Sequence, residues 1–385
     1  MKARVLLYAA SPLFNGNADY AKFANEDGTL LFAPKDDSKW GKAAAAAKEA
    51  IDKIEGSSYY GLYYSDEPDN GYRNYMELFL PSKKWNKEYI FARNQGTGYS
   101  DNIHQEKCMA ANGMGGWSGL CPTQELVDAY EMANGSTPII GYNADGTPII
   151  NGASGYSETG FAATAGKHYP AGVYNMYVGR EPRFYASINF NGQQWRGRQL
   201  EFWQGGKDGI NVSKVDYCCT GYLLRKTADE GVDVINGKGG MKEASILFRV
   251  GSLYLDYAEA LNEAEGPVDD VYKYVDAIRK RAGLPGLAKG LDKDKMRERI
   301  QHERQIELAF EAGHRYFDCH RWKIAEKTDN GYMHGMNITA TNKVDYSKRS
   351  TVGDSRVFEK KHYLFPIPQS EMDKRIGLVQ SPYWE

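Results

Sequence analysis

The sequence predicts a mainly α-helical fold in which tetratricopeptide-type helical hairpins carry a large loop-rich insertion with short β-strands. Segments with helical periodicity occur near both ends of the chain, and they are paired with small residues at the expected contacts. Between residues 57 and 244 the pattern changes to short strand-like runs separated by glycine, asparagine, aspartate and proline. We therefore expect a single domain over residues 1–385, with a helical scaffold from 1–56 and 245–385 and a variable region at 57–244.

The first predicted hairpin joins residues 2–14 to residues 40–54. Its second helix contains five consecutive alanines, which have the highest helix propensity and allow neighbouring helices to approach closely. Gly56 follows the last periodic residue, a position typical of a helix C-cap.

A second hairpin is predicted from residues 249–264 and 271–282. Gly266 and Pro267 break the helical pattern between the two segments, and a glycine also ends the second one. A third helix pair is expected to begin at Asp292.

Within the variable region, residues 88–93 and 184–190 are predicted as strands. Residues 136–169 are polar and glycine-rich and contain many aromatic side chains, with turn signals at Asn143 and Asn151. A loop region of this length in a compact chain is usually functional, so we expect it to carry the binding face.

The composition is that of a globular protein, with 42% hydrophobic and 25% charged residues. The formal net charge is −2 and the pI is about 6.4, which gives no basic field for nucleic acid. The mean hydropathy is −0.61, and no apolar stretch reaches the ~18 residues that a membrane span needs. Residues 1–4 lead directly into a predicted helix, so we expect no secretory signal peptide in the chain as given. The chain as given is expected to be soluble.

The stretch from Asp294 to Trp322 supports two interpretations. Glu303, Glu307 and Glu311 recur at four-residue spacing, which on a helix places three carboxylates along one face. Paired carboxylates could supply the acid and the base of a glycoside hydrolase. The same carboxylates could instead join helices through salt bridges, because arginines are interspersed among them.

Salt bridging is the favoured interpretation, because ion pairing lowers a carboxyl pKa whereas a general acid needs a raised one. Spacing excludes a zinc site, since His302 would need a second histidine one turn on and position 306 is isoleucine. We predict no catalytic residue, no metal ligand and no cofactor; a structural calcium ion is compatible with the sequence but not indicated by it. The predicted structural ion-pair network comprises Glu303, Arg304, Glu307, Arg315, Asp318 and Arg321.

The polar loops carry aromatic side chains next to amides, carboxylates and arginines. This combination suits carbohydrates, because aromatic faces stack on sugar rings and planar polar groups bind hydroxyls. Any one of these rings could instead cover the core, and Trp117, which lies between glycines, is the strongest candidate for binding. The predicted ligand-binding residues are Trp117, Tyr99, Tyr142, Tyr156, Phe161, His168 and Trp85.

The five cysteines have no metal-type spacing, and Cys108 and Cys121 lie in one polar region where they could form a disulfide. Arg180 and Arg183 flank a Glu-Pro pair just before a predicted strand. They could bind an acidic ligand, although a turn in which arginine donates to backbone carbonyls is favoured.

Several motifs follow one another in a characteristic order along the chain. They are Lys2-Ala-Arg-Val-Leu-Leu-Tyr-Ala-Ala-Ser-Pro-Leu-Phe-Asn, Trp40-Gly-Lys-Ala-Ala-Ala-Ala-Ala, Arg180-Glu-Pro-Arg183, Tyr257-Ala-Glu-Ala-Leu-Asn-Glu, Ile278-Arg-Lys-Arg-Ala-Gly-Leu-Pro, the block from Glu303 to Trp322, and Phe365-Pro-Ile-Pro-Gln-Ser-Glu-Met. In this order they resemble the SusD/RagB family, the surface glycan-binding lipoproteins of Bacteroidetes outer membranes. The resemblance covers nearly the whole chain.

The resemblance implies a non-enzymatic receptor that binds a glycan and delivers it to a SusC-like TonB-dependent transporter, on which it sits as a lid. It also implies that the block from Glu303 to Trp322 belongs to the scaffold, and that ligand contacts come from variable loops, here roughly residues 117–169. It implies a surface-exposed lipoprotein at the outer membrane. Family members carry the anchor in a region before the first helix seen here, so we expect a fragment or a late start.

Three functions remain open at this point. Glycan binding for uptake is favoured; the alternatives are a glycoside hydrolase or lyase using Glu303 and Glu307, and a helical-repeat scaffold for another protein. Nucleic acid is not expected as a partner, and membrane contact is expected only through the anchor. The sequence specifies neither the glycan nor the oligomeric state.

Overall fold

The computed structural model describes residues 1–80, 85–94, 99–237, 244–311, 313–374 and 376–384. The side chains of residues 94, 99–102 and 244 lie outside this description. As predicted from the sequence, the described chain is mainly helical, and its strands are short.

The helices lie mostly toward the two ends of the chain. They are α1 (Lys2–Ala10), α2 (Ser38–Glu55), α3 (Gly71–Leu78), α4 (Tyr99–Met109), α5 (Gln124–Ala129), α6 (Pro182–Ser187), α7 (Val250–Glu265), α8 (Asp269–Arg281), α9 (Lys293–Glu307), α10 (His314–Arg321), α11 (Ala325–Thr328), α12 (Lys343–Tyr346) and α13 (Gln369–Met372). Among the described residues, no helix combines the length and the apolar composition needed to cross a membrane.

The strands form small antiparallel pairs. They are β1 (Tyr89–Asn94), β2 (Ile139–Tyr142), β3 (Pro148–Ile150), β4 (Ile188–Phe190), β5 (Gln194–Trp195), β6 (Arg198–Gln199), β7 (Tyr222–Leu224), β8 (Ala244–Arg249), β9 (Gly331–Met336) and β10 (Arg349–Arg356). The pairs are β1–β8, β2–β3, β4–β7, β5–β6 and β9–β10. Each described sheet therefore has two strands; β1–β8 and β4–β7 join segments far apart in the sequence, and the other three pairs join neighbouring segments.

Helices α1, α2, α7, α8 and α9 share one hydrophobic core. The alanines of α2 face this core, and Ala43, Ala44 and Ala47 are buried. Their small side chains let α2 pack closely against α1 and α7. α2 ends as expected, with the N–H of Gly56 donating to the Asp52 carbonyl at 2.9 Å. The predicted helical hairpins are confirmed.

A second core lies mainly in the variable region, is rich in aromatic rings and also includes Ile306, Met336, Ala340 and Tyr346 of the scaffold. Tyr177 stacks on Phe190 with ring centroids 4.3 Å apart, and Phe184 stacks on Phe190 at 5.4 Å. Tyr130 and Tyr222 are buried in the same cluster. Many aromatic side chains of the variable region therefore pack against one another, away from solvent.

The strand predicted at residues 184–190 is wrong in its first half. Residues Pro182–Ser187 form α6, and only Ile188–Phe190 form a strand, which pairs with β7. Proline at the first helical position fixes a suitable φ and loses no intrahelical hydrogen bond. The helical turn also directs Arg183 toward the carboxylates of α9. The other predicted strand, at residues 88–93, corresponds to β1.

The three evenly spaced glutamates do not share one helix. α9 ends at Glu307, and Phe310 has a left-handed φ of 61° in the turn toward α10. Glu311 therefore follows the helix, yet its carboxylate accepts hydrogen bonds from Arg249 at 2.7 and 2.8 Å. Tertiary ion pairs, not one helix face, bring this carboxylate close to those of α9.

Candidate functional site

Buried charges join the variable region to the helical scaffold. Arg183 of α6 donates through Nε to Glu181 at 2.7 Å. It also donates to Glu303 and Glu307 of α9, the latter at 3.1 Å. All four side chains are buried, so these ion pairs fix α6 against α9 in a setting where an unpaired charge would be costly.

The same cluster extends through Arg249 and Arg281. Arg249 donates to Glu88 at 2.7 Å and to Glu307 at 2.8 Å. Arg281 donates to the same two carboxylates, at 3.1 Å for Glu88. Burial alone would raise the pKa of Glu307, but Arg281, Arg249 and Arg183 hold it at about 2. Glu307 is therefore ionised throughout the physiological range.

A second ion-pair network lies between α7, α9 and α10. Arg304 donates to Asp318 at 2.9 Å and to Asp256 at 2.7 Å. Arg321 donates to Asp318 at 2.9 Å and to Glu259 at 2.7 Å. Burial acts to raise the pKa of Asp318, but the two arginines bring it below its usual value.

The predicted ion-pair residues thus fall into two adjacent networks. Glu303 and Glu307 lie in the first, and Arg304, Asp318 and Arg321 lie in the second. Arg315, which was also predicted, is half-buried and forms no ion pair with any residue that the structure describes.

Arg180 anchors the turn that precedes α6. Its guanidinium donates to the backbone carbonyls of Met176 at 3.1 Å and Tyr130 at 2.7 Å. The rings of Tyr156 and Phe184 cover the guanidinium at 5.3 and 5.0 Å. The side chain is buried, and its contacts are those of the favoured turn interpretation, not of an acidic-ligand site.

A cleft of about 310 Å³ lies in the variable region beside α3 and the β5–β6 hairpin. Its wall combines aromatic rings, amides and positively charged side chains. The lining residues are Tyr72, Gly166, Lys167, His168, Tyr169, Pro170, Gln193, Gln194 and Arg225. Binding sites for small ligands have volumes of this order and place a few polar groups among apolar ones.

His168 lies at the centre of the aromatic wall. Its ring stacks on Tyr72 with centroids 4.7 Å apart and lies 5.3 Å from the ring of Tyr185. Tyr169 extends the wall, stacked on Tyr185 at 6.1 Å. Burial lowers the pKa of His168 to about 4, assisted by the neighbouring lysine and arginine charges. The neutral imidazole can donate through one ring nitrogen and accept through the other.

Backbone hydrogen bonds close the loop that carries His168. The N–H of Ala162 donates to the Val173 carbonyl, and that of Gly172 donates to the Ala162 carbonyl, both at 2.8 Å. At the tip, the N–H of Gly166 donates to the Tyr169 carbonyl at 2.9 Å. A Cβ at residue 166 would lie 2.3 Å from the Tyr169 ring, so glycine lets this ring fold across the backbone.

Two polar side chains that line the cleft have unsatisfied atoms. Arg225 and Gln193 are 7% and 5% exposed. Arg225 donates to the Tyr72 hydroxyl at 2.6 Å and to Glu230 at 3.2 Å. Arg225 Nε and Gln193 Oε1 have no hydrogen-bond partner among the described residues. Both atoms are themselves buried, so the polar groups that the cleft presents to a ligand are those of the exposed Lys167 and Gln194 and the half-buried His168.

The β5–β6 hairpin holds the amides of the cleft in place. Arg196 and Gly197 have φ values of 46° and 84°, the two positive values that a tight type I′ hairpin turn requires. The Arg196 side chain donates to the carbonyls of Val232 and Asp229, each at 2.9 Å. The exposed Gln194 of β5 is thereby presented at the cleft.

A larger cavity of about 500 Å³ lies on the helical scaffold and is lined partly by two tryptophans. Its charged groups already have partners. Glu259 accepts from Arg321 at 2.7 Å, and Arg297 donates to Glu263 at 2.6 Å. The cleft around His168, which combines stacked aromatic rings with the exposed side chains of Lys167 and Gln194, is therefore the better candidate for a ligand site.

Trp117, the strongest binding candidate from the sequence, does not line the cleft. With His104 and Lys107 it forms a separate surface, here called the ridge. Its ring stacks on His104 at 5.3 Å, and the Lys107 ammonium lies 5.4 Å from the ring centroid. The backbone N–H of Trp117 donates to the Lys107 carbonyl at 2.6 Å, which folds the loop onto α4. The ring is supported from below by α4 and remains 37% exposed.

Tyr142 and Tyr156 are each held by a carboxylate. Tyr142 is half-exposed, and its hydroxyl donates to Asp128 at 2.7 Å. Tyr156 is 6% exposed, and its hydroxyl donates to Glu158 at 2.7 Å. Arg349 donates to both carboxylates. Tyr142 can offer an outer face to a ligand, whereas Tyr156 packs in the core.

The other predicted ligand-binding residues lie in different surroundings. Phe161 is half-buried and packs on Tyr174 at 5.6 Å. Trp85 is exposed and has a positive φ of 43°. The side chain of Tyr99 lies outside the described residues. Of the predicted residues with described side chains, His168 is the one that lines the cleft.

Tyr72, Gln193 and Arg225 were not predicted from the sequence. They are far from His168 along the chain, and only the tertiary fold brings them to one wall. No local pattern singles them out, since Arg225 simply follows the apolar run Tyr222–Leu224.

The chain is similar over nearly its full length to solved structures. A protein named BT4246 superimposes with a TM-score of 0.80 at 27% identity, covering 100% of this chain and 70% of that one. A SusD-like protein from Bacteroides fragilis NCTC 9343, BF3747, gives a TM-score of 0.65 at 25% identity, covering 99% and 70%.

Two curated sequence relatives come from Formosa agariphila. SusD-like protein P25 is 42% identical over 82 residues, which is 20% of this chain and 15% of that protein. SusD-like protein P2 is 29% identical over 154 residues, 37% of this chain and 26% of that protein. These matches span about a quarter or less of the relatives' own length.

A family model described as the SusD family matches residues 80–384. This range includes most of the cleft and the α9–α10 part of both ion-pair networks. Proteins of this family are generally glycan-binding and are outer-membrane-associated lipoproteins. The helical scaffold, the structural neighbours and the family match agree: the chain belongs to the SusD family.

Proposed function

We propose that this protein binds a glycan without turning it over, at the cleft around His168, and delivers it to a SusC-like TonB-dependent transporter at the cell surface. The observation that carries this site is the pair of stacked rings, Tyr72 and His168, beside the exposed polar side chains of Lys167 and Gln194. Membership in a generally glycan-binding family supports the class of ligand.

The cleft has the groups that sugar recognition needs. A pyranose ring offers a C–H face to an aromatic wall, here Tyr72, His168 and Tyr169. Its hydroxyls are both donors and acceptors, so one can pair with the neutral His168 imidazole, which also donates and accepts. Gln194 and Lys167 are exposed at the same cleft and can bind further hydroxyls of a longer chain.

The carboxylates that a hydrolase would use are poorly suited to catalysis. Glu303 and Glu307 are buried and paired with arginines, out of reach of a polysaccharide. A pKa of about 2 for Glu307 is the opposite of the raised value that a general acid needs. These contacts support a binding role and give no support to the hydrolase alternative.

Calorimetry with a panel of oligosaccharides tests this proposal. Once a ligand is found, His168→Ala and Gln193→Ala are expected to weaken its affinity about tenfold or more, or about 1.4 kcal/mol, because each removes a contact in the cleft. Phe365→Ala is the matched control, since it removes an exposed aromatic ring that does not line the cleft. Its affinity should equal that of the unmodified protein.

Other variants separate the competing sites and activities. Trp117→Ala should leave the affinity unchanged if the cleft is the binding site. A loss of binding in Trp117→Ala with none in the cleft variants would place the site on the ridge. No binding across the panel would contradict the glycan proposal. It would also be contradicted if the protein released reducing ends from a glycan and the folded Glu307→Gln variant did not.

The transporter partnership is tested separately. The full protein should co-purify with a SusC-like transporter when the two are expressed together in an outer membrane. Retention of the complex by His168→Ala, which impairs only the cleft, would show that assembly and glycan binding are independent. Failure to associate would contradict the delivery step and leave glycan binding to be judged on its own measurement.

A further inference from the structure

Cysteines from distant parts of the chain meet beside the Trp117 loop. The Sγ atoms of Cys121 and Cys218 lie 4.0 Å apart, in van der Waals contact, although 97 residues separate them along the chain. Cys219 also interacts with the Cys121 thiol. All five cysteines are free thiols in the structure, including Cys108, the partner considered for Cys121 from the sequence.

The surrounding backbone holds these two thiols next to each other. The Cys121 thiol donates to the Ser118 carbonyl at 3.1 Å, and the Cys218 thiol donates to the Tyr222 carbonyl at 2.9 Å. The N–H of Leu224 donates to the carbonyl of the residue before Cys121 at 2.9 Å, so the two segments are joined. A disulfide has its sulfurs about 2 Å apart, so these two must approach by about 2 Å from their separation of 4.0 Å.

We propose that Cys121 and Cys218 form a disulfide that fixes the Trp117 loop to the segment leading into β7. The two thiols lose two electrons and two protons, and an S–S bond forms between their sulfurs. The oxidant is a disulfide, either a small molecule or a disulfide oxidoreductase, which is reduced to two thiols. Cys319 takes no part, because it is buried in a different core with Leu13 and Tyr20.

The thiol environment indicates when the bond forms. Contact with the Cys218 thiol and burial raise the pKa of the Cys121 thiol. Because the thiolate is the attacking species, exchange in the folded protein is slow. The bond is therefore expected to form while the chain folds, before the thiols are enclosed.

Refolding in a glutathione redox buffer tests the proposal on the full chain. Titration of the denatured product should find three reactive thiols instead of five, since two of the five free cysteines are consumed. Mass spectrometry of non-reduced peptides should show the Cys121 and Cys218 peptides joined, with the loss of two hydrogens. Cys121→Ala and Cys218→Ala should lack this joined peptide.

The neighbouring cysteines provide matched controls. Cys219→Ala and Cys108→Ala should retain the Cys121–Cys218 bond. Cys219 is exposed, so its replacement does not disturb the core. The Cys219→Ala variant therefore shows whether Cys121 pairs with Cys218 or with Cys219, even if Cys218→Ala fails to fold. Five reactive thiols after refolding, or a bond that uses Cys108 or Cys219, would overturn the proposal.

Discussion

At the scale of single residues, Glu307 is the carboxylate with which three buried arginines form ion pairs. Its carboxylate accepts hydrogen bonds from Arg183, Arg249 and Arg281, and all four side chains are buried. An amide at this position could still accept hydrogen bonds but would carry no charge. The buried guanidinium groups would then lose much of their compensation.

Glu307→Gln is therefore expected to lower the free energy of unfolding by about 3–5 kcal/mol, the cost of removing one partner of a buried ion pair. Urea denaturation followed by circular dichroism measures the change. Glu49→Gln is the control, because this exposed carboxylate pairs with Lys53 at 2.8 Å on the surface of α2, and its replacement should leave stability unchanged. Equal stability of Glu307→Gln and the unmodified protein would contradict the structural role.

The lowered pKa of His314 predicts how the free energy of unfolding depends on pH. Burial lowers the pKa of this side chain to about 4, with help from Arg4 and Arg304. An unfolded histidine titrates near pH 6.5, so between about pH 6.5 and 4 the unfolded chain binds a proton that the folded chain does not. Stability should therefore fall as the pH falls through this window, with a contribution from His314 of up to about 3 kcal/mol.

His314→Gln should flatten this part of the pH profile, measured as unfolding free energy between pH 7 and pH 4. The exposed His104 gives the control, and His104→Gln should keep the full slope. A His314→Gln profile parallel to that of the unmodified protein would show that the buried imidazole does not couple folding to protonation.

At the scale of elements, α3 connects the cleft to the scaffold. Gly71 begins this helix, and a Cβ there would lie 2.2 Å from the carbonyl group of Ala282, just after α8. The next residue, Tyr72, lines the cleft. Close packing at one end of α3 therefore sets the position of one wall of the proposed binding site.

Gly71→Ala is expected to lower the melting temperature and also to weaken glycan binding, because the helix must move away from α8 and takes Tyr72 with it. Gly41→Ala is the matched control: it lies in α2 with open space around it, and alanine should stabilise that helix by about 0.5–1 kcal/mol. Scanning calorimetry and titration of the glycan measure both effects. Unchanged binding in Gly71→Ala would show that α3 does not position the wall.

At the scale of the whole molecule, ion pairs run between regions that are far apart in the sequence. Glu88 and Arg183 belong to the variable region, whereas Arg249, Arg281 and Glu307 belong to the scaffold. Neither part can bury its charges without the other. This interdependence supports the expectation of one domain, which stays a prediction.

A chain in which a short flexible linker replaces residues 57–244 is therefore expected to show no cooperative thermal transition. Replacement of the β2–β3 hairpin by a tight turn is the control, because this hairpin is largely exposed and should be dispensable for folding. Calorimetry of both shortened chains measures the difference. A cooperative transition of the scaffold alone would contradict the single-domain prediction.

The sequence predicted those parts of the fold that depend on local patterns. The alanine run of α2, Gly56 and the Gly266-Pro267 break were sufficient for the hairpins, because helix propensity and capping act over a few residues. α6 was missed because its helical turn is favoured by the ion pairs of Arg183, which no local pattern reveals. The cleft was missed except for His168, since its walls come from separate segments.

The three ion pairs of the Glu307 carboxylate also restrict which substitutions such a protein can accept during evolution. Replacing one charge in the cluster leaves the remaining buried ions with less compensation, so we expect single substitutions there to be destabilising. Side chains at the cleft rim, such as Gln194 and Lys167, face no such barrier. We therefore expect single substitutions at the cleft rim to be tolerated more readily than single substitutions in the ion-pair cluster.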